Sequence, residues 1–195
     1  MVYYMNMGTF EERSRRADKL IREWHRYPFI TLNGWSEGWY GHNDKRASQS
    51  EASDTLCLVY SMVEVRMCAY QGRIAVIRNK ALPRLIFVSE IPTYVDTEEP
   101  LFSSDGRYVF LGVFTKDFSG TLVIDVADNR YAAVRHPALS FCEVEEIDTE
   151  TFRLMNRPGS NRVDIDRTID MSSLKWFLIE KTKVDFITAF LDEGS

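Results

Sequence analysis

"SSDGRYVFLGVF", residues 103–114, is the stretch on which the fold turns. Asp105 and Gly106 form a turn pair, and glycine supplies the positive φ that a tight reversal needs. Arg107 follows, and then Tyr108 to Phe114 reads as a strand. The same plan recurs in "YQGRIAVI" around Arg73 and in "ADNRYAAV" around Arg130. Each is a two-residue turn, an arginine and a strand. The arginine stem is expected along the sheet rim, over apolar neighbours.

The phrase is similar to one blade of a β-propeller, and the likeness covers residues 101–127. A propeller keeps a steady period of about 40 to 45 residues. Arg73, Arg107 and Arg130 are unevenly spaced. The repeat is therefore hairpin grammar in an antiparallel sheet. Working outward, "TLCLVYS", "EVRMCAY", "RIAVIRN" and "RLIFVSEI" precede it, rich in Val, Ile, Leu and Tyr. They read as strands, with Gln71-Gly72 as a hairpin turn. The first two also fit one buried helix ending at Gly72, because dense apolar runs are ambiguous. "GTLVIDVA", "RYAAVRH", "SFCEVEEID" and "TFRLMNR" follow it, separated by short turns. Short turns imply antiparallel neighbours in a meander.

The ends differ. Thr9 and Glu12 have capping-box spacing. Ala17, Leu20, Ile21 and Trp24 fall on one helical stripe, with Arg13, Arg15, Arg16, Lys19 and Arg22 opposite. Pro28 stops that helix, so residues 10–26 are predicted helical. Residues 28–54 lose periodicity and read as a long loop. Residues 184–192 read as a short C-terminal helix. The expectation is a single α+β domain dominated by antiparallel β, with a meander over residues 55–180. One curved sheet or a two-sheet sandwich would serve.

Composition narrows the function. The chain has 195 residues, 45% apolar and 27% charged, with a net charge of −5. This is an ordinary globular balance. The negative charge argues against nucleic acid, which demands Lys and Arg. "MVYYMNMGTF" has neither a basic start nor a long apolar run, so no signal peptide is expected. No segment approaches the ~18 apolar residues of a membrane helix. Cys57, Cys68 and Cys142 contain no C-x-x-C and suit reduced, buried thiols. A cytoplasmic home is expected.

Chemistry-bearing motifs are sparse. His25, His42 and His136 lie on different elements without metal-ligand spacing. No phosphate-cradling glycine loop and no nucleophile elbow appears. "DIDRTID" gathers Asp164, Asp166 and Asp170, but Ile169 and Lys175 stand where a calcium loop wants Gly and Glu. No cofactor is expected.

Two acidic clusters and one aromatic loop remain. The first cluster holds Glu90, Asp96, Glu98, Glu99 and Asp105; the second holds Glu143, Glu145, Glu146, Asp148 and Glu150. Glu143 and Glu145 alternate with Val144 and so share one strand face. Clustered charge of one sign steers a basic partner. Trp35, Trp39 and Tyr40 stand in the glycine-rich "GWSEGWYG". They fit a lid over the sheet or the aromatic hot spots of an interface.

In its size, its acidity and the blade-like "SSDGRYVFLG", the chain resembles the immunity proteins that bacteria pair with polymorphic or contact-delivered toxins. That resemblance implies a non-enzymatic inhibitor, binding a basic toxin domain one-to-one and occluding its active site. Asp96, Glu98, Glu99, Trp35, Trp39 and Tyr40 are the interface candidates. A second reading is an enzyme or small-ligand binder using His42, His136 or the acidic loop. A third is a structural or adaptor subunit, such as a homodimer joined at an open strand edge.

Overall fold

The computed structural model describes residues 10–24, 42–64, 69–82, 84–91, 99–114, 119–136, 143–155, 166–181, 183–184 and 186–192. It is an α+β fold, mostly antiparallel β. One helix, α1 (Phe10–Glu23), precedes three sheets, and a short helix, α2 (Ile187–Asp192), follows them. The first sheet runs β1 (His42–Ser50), β2 (Thr55–Glu64), β3 (Ala69–Arg78) and β4 (Arg84–Ile91) in chain order. The second holds β5 (Leu101–Phe102), β6 (Tyr108–Phe114), β7 (Ser119–Asp125) and β8 (Arg130–Arg135), with β12 (Phe177–Leu178) added beside β8. The third is β9 (Glu143–Glu146), β10 (Thr151–Met155) and β11 (Asp166–Asp170). A 3-10 turn, Met171–Ser173, follows β11.

Strand alternation explains the stacking. In β2, Cys57 and Val59 face the second sheet, while Leu56 and Leu58 face α1. The α1 stripe of Ala17, Leu20, Ile21 and Trp24 closes that outer side. In β6, Val109 and Leu111 meet the first sheet, whereas Tyr108 and Phe110 meet Phe152 and Leu154 of the third. The second sheet is thus buried on both faces, and the layers run helix, sheet, sheet, sheet. A single curved sheet cannot cover two apolar faces of its own. The continuous apolar run of β7, buried from Gly120 to Asp125, is the mark of a middle layer.

Two sequence readings are corrected. Residues 42–50, read as loop, form β1 and pair with β2 along their whole length. "HNDKRASQS" has no strand propensity of its own. Its order comes from the β2 ladder and from α1, which lies against it. Gln71 and Gly72 are not a turn: they lie inside β3, opposite Met62 and Ser61. The β2–β3 ladder pairs Glu64 with Ala69 instead. "TLCLVYS" is strand, not helix.

The turn quoted at the outset behaves as read. Gly106 has φ +73°, and a Cβ there would collide with Ser50 and Ser53 of the β1–β2 turn. Ser103 and Asp105 brace the turn: Asp105 Oδ1 accepts from Ser103 Oγ (2.6 Å) and from the Arg107 amide (2.9 Å). Asn129 likewise takes positive φ (52°) ahead of Arg130. No helix among the described residues is long and apolar enough to cross a membrane.

Candidate functional site

The third sheet is the outermost layer, and its two faces carry different residues. Val144, Phe152, Leu154 and Ile169 point inward onto Tyr108 and Phe110. By alternation Glu143, Glu145, Arg153, Asp166 and Asp170 point outward. Arg153 is central: it stands opposite Glu145 on one side and Thr168 on the other. Its Nε and a terminal nitrogen donate to the two oxygens of Asp166, both at 2.7 Å. Glu145 lies 3.6 Å away. The hydrogen bonds from Arg153 hold the Asp166 carboxyl below its ordinary range. Four carboxylates therefore share the outward face of this sheet with one arginine, and two of them, Glu145 and Asp166, pair with it.

The other members of this acidic cluster hold the layer in place. Glu146 accepts from the Ser104 amide (2.8 Å) and hydroxyl (2.7 Å). Asp148 accepts from the Glu150 amide at 2.9 Å, which keeps its carboxyl low. Glu150 takes Arg107 at 2.9 Å and the Tyr108 hydroxyl at 2.7 Å. Asp170 caps the 3-10 turn through the Ser172 amide.

Behind Glu150 lies a hub at Asp125, whose side chain is fully buried. Its oxygens accept from Arg107 (3.3 and 3.0 Å) and from Arg130 (3.0 Å to Nε, 2.9 Å to a terminal nitrogen). The amides of Ala127 and Asp128 add two bonds at 3.1 Å. Burial alone would raise this carboxyl. Arg107, the Asp128 amide and Arg130 outweigh it, and the group stays below its ordinary value. Trp176 covers the hub, with the Arg130 guanidinium 4.4 Å from its ring centre and Tyr108 stacked beside it. Two arginines of the repeated phrase converge here, so the repeat encodes a clamp that fixes the acidic layer to the middle sheet.

The interface candidates fare differently. Glu99 is described and engaged: Arg16 of α1 donates to it, and its side chain is 21% exposed. Burial raises its carboxyl against the opposing charges of Arg16, Arg13 and Arg46. It ties α1 to the segment entering β5. Asp96, Glu98, Trp35, Trp39 and Tyr40 lie outside the described residues, as do Asp164, Cys68, Cys142 and His25. His42 is in β1. Cys57 is buried in the core, and burial pushes its thiol far up, which leaves no thiolate to react. No group of three or more metal-ligating side chains occurs among the described residues.

No family model, no curated protein and no solved structure matches the chain. Its function rests on its own geometry.

His136 directly follows β8 and is buried, its Nε2 3.1 Å from Thr121 Oγ1. Its Nδ1 is buried with no hydrogen-bond partner among the described residues. Burial, and then the charge of Arg167, push its pKa down to about 4. Unfolded, the ring titrates near 6.5. Above that pH both states are neutral and the group has no effect on stability. As pH falls from about 6.5 to about 4, the unfolded chain takes up a proton that the native state refuses. Stability should therefore drop by on the order of 3 kcal/mol across this window. Urea unfolding at several pH values is expected to show that drop in the wild type and its loss in His136→Gln. Parallel curves for the two proteins would show that the native ring protonates normally.

Proposed function

We propose that this chain is a non-enzymatic protein-binding inhibitor, an immunity protein that neutralises a cognate bacterial toxin in the cytoplasm by covering its active site. The observation that carries the reading is the outer face of the β9–β10–β11 sheet. It presents Glu143, Glu145, Asp166 and Asp170 on a preformed surface, clamped from behind by Glu146 and Glu150. A rigid anionic plane suits a basic partner, because its charges are placed before contact and little ordering entropy is lost on binding. Carboxylates held this way stand in for the anionic substrate of a basic enzyme. The buried Cys57 and His136 support the non-enzymatic part: neither is poised at a surface where substrate arrives.

Asp96, Glu98, Trp35, Trp39 and Tyr40 are further candidate partner contacts of this reading, with the aromatic residues as anchors. Glu99 contributes by holding its segment to α1. The test is co-expression with the product of the adjoining reading frame. Growth arrest by that product alone, relieved by this chain and accompanied by a one-to-one complex, is the expected result. Relief without a complex, or a complex that leaves the toxin active, would contradict the reading.

A further inference from the structure

The C-terminal run reaches both sheets that enclose the main core. β12 extends the second sheet by pairing Phe177 with Tyr131 and Leu178 with Arg130 of β8. The Ile179 amide then donates to the Asn129 carbonyl at 2.8 Å. Further on, Lys183 bridges Val88 of β4, the edge strand of the first sheet, and the Val184 amide donates to the Val88 carbonyl at 2.9 Å. α2 follows. Phe186, Ala189 and Phe190 are buried in one cluster with Val59 and Phe87 of the first sheet and Leu122 and Ala133 of the second. The run therefore crosses from β8 to β4 and stitches one side of the sandwich.

The hold on this run differs from that on the sheets. β2 pairs with β3 and β6 with β7 along the full length of each strand, whereas β12 pairs with β8 at two residues only, one of which, Leu178, points into solvent. Among the described residues α2 donates no backbone hydrogen bond to either sheet; the Ala189 amide bonds back to the Phe186 carbonyl. A helix this short does not form in isolation, so α2 exists only while docked. Its docking rests on Phe186 and Phe190, packed edge to face with ring centres 6.0 Å apart. The Phe190 ring lies on bare backbone at Gly120, where a Cβ would collide with it. Withdrawal of the two rings removes the support of the whole run at once, and the ladders of β1 to β4 and β5 to β8 contain none of its residues. Contiguous elements with few backbone ties are the ones that open as units below the global unfolding free energy.

We propose that β12, the Lys183–Val184 bridge and α2 form a strap that opens as one unit while the three sheets stay folded, giving the sandwich a side that opens and closes. The open strap uncovers the apolar floor at Tyr131 and Ala133. The device is independent of the protein-binding face and stands or falls without it.

The test is amide hydrogen exchange of the full chain, read by NMR at rising urea below the unfolding transition. The Ile179, Val184 and Ala189 amides should show one common opening, at least about tenfold more frequent than that of the β6 and β7 amides. Its urea dependence should be weaker, because less surface is exposed than in global unfolding. In a Phe186→Ala, Phe190→Ala double variant those three amides should lose their protection, while β6 and β7 stay protected by about 100-fold or more. The proposal is overturned if the three wild-type amides share the rate and urea dependence of β6 and β7, or if they open separately from one another. It is also overturned if the double variant loses protection throughout, which makes the run integral to the sheets, or if its strap amides remain protected.

Discussion

Replacing Asp125 with alanine should lower the stability of the fold by about 3 to 5 kcal/mol, the usual cost of removing one partner from a buried ion pair. The carboxylate is buried and takes every one of its hydrogen bonds from inside the protein. Its loss removes the buried carboxylate shared by the two guanidinium groups, leaving them Asp128 and, for Arg107, Glu150, and takes the acceptor from two amides. Arg107 and Arg130 are about a quarter exposed, so water recovers part of the loss and sets the lower end of the range. Asp128 is the control. It touches the same two arginines, at 2.9 and 3.2 Å, but is 53% exposed. Asp128→Ala should therefore cost no more than about 1 kcal/mol. Urea unfolding at neutral pH measures both. A loss below about 1 kcal/mol for Asp125→Ala would mean that the hub does not hold the sheets together.

The hub also sets the acid limit. The Asp125 carboxyl is lower in the native state than in the unfolded chain. Its contribution is therefore complete above the ordinary carboxylate pKa of about 3.9 and is lost as pH falls through the lower native value. This window lies below the one in which His136 acts, so the two effects separate along the pH axis.

The second large effect concerns the acidic face. Glu143→Lys together with Glu145→Lys reverses two outward charges and puts one lysine opposite Arg153 and another opposite Met155 on the same face. Steering by opposite charge accounts for roughly 100-fold or more in association rate between favourable and neutral surfaces. The double variant should associate with a basic partner about 10- to 100-fold more slowly, with most of the change in the on-rate. Stability should change by about 1 kcal/mol or less, because Glu143 and Glu145 are only partly buried and the part-exposed pair with Arg153 is weak. Reversal of Glu99 is a poorer probe, since that side chain is tied to Arg16.

Much of the architecture was legible. The α1 stripe, the Asp105-Gly106 and Asp128-Asn129 turns and the strands from Tyr108 to Met155 follow from periodicity and turn chemistry. β1 was not legible, because a polar edge strand takes its order from its neighbour's backbone rather than from its own side chains. The division into three sheets was hidden for another reason. Alternation shows that a strand has two faces, and only the density of apolar residues on both, as in β6 and β7, shows that both are covered. Asp125 was missed although it carried a signal: it closes the unbroken run "GTLVID", where a carboxylate must have partners or neutralise. By sequence alone the three arginines are separate rim residues. That two of them meet at one carboxylate depends on the register of β6, β7 and β8, which no local pattern encodes. Of the acidic clusters, spacing correctly put Glu143 and Glu145 on one face. It could not tell them from Glu146 and Glu150, which turn inward to serve the fold.

The proposed function requires the negative potential of the β9–β10–β11 face to recruit a basic protein. The most direct measurement is the association rate with the proposed toxin partner across a range of salt concentrations, for the wild type and for the Glu143→Lys, Glu145→Lys double variant. The wild-type rate should fall steeply as salt screens the face, and the variant should start lower and respond far less. Two lines of equal slope would mean that these carboxylates take no part in recognition.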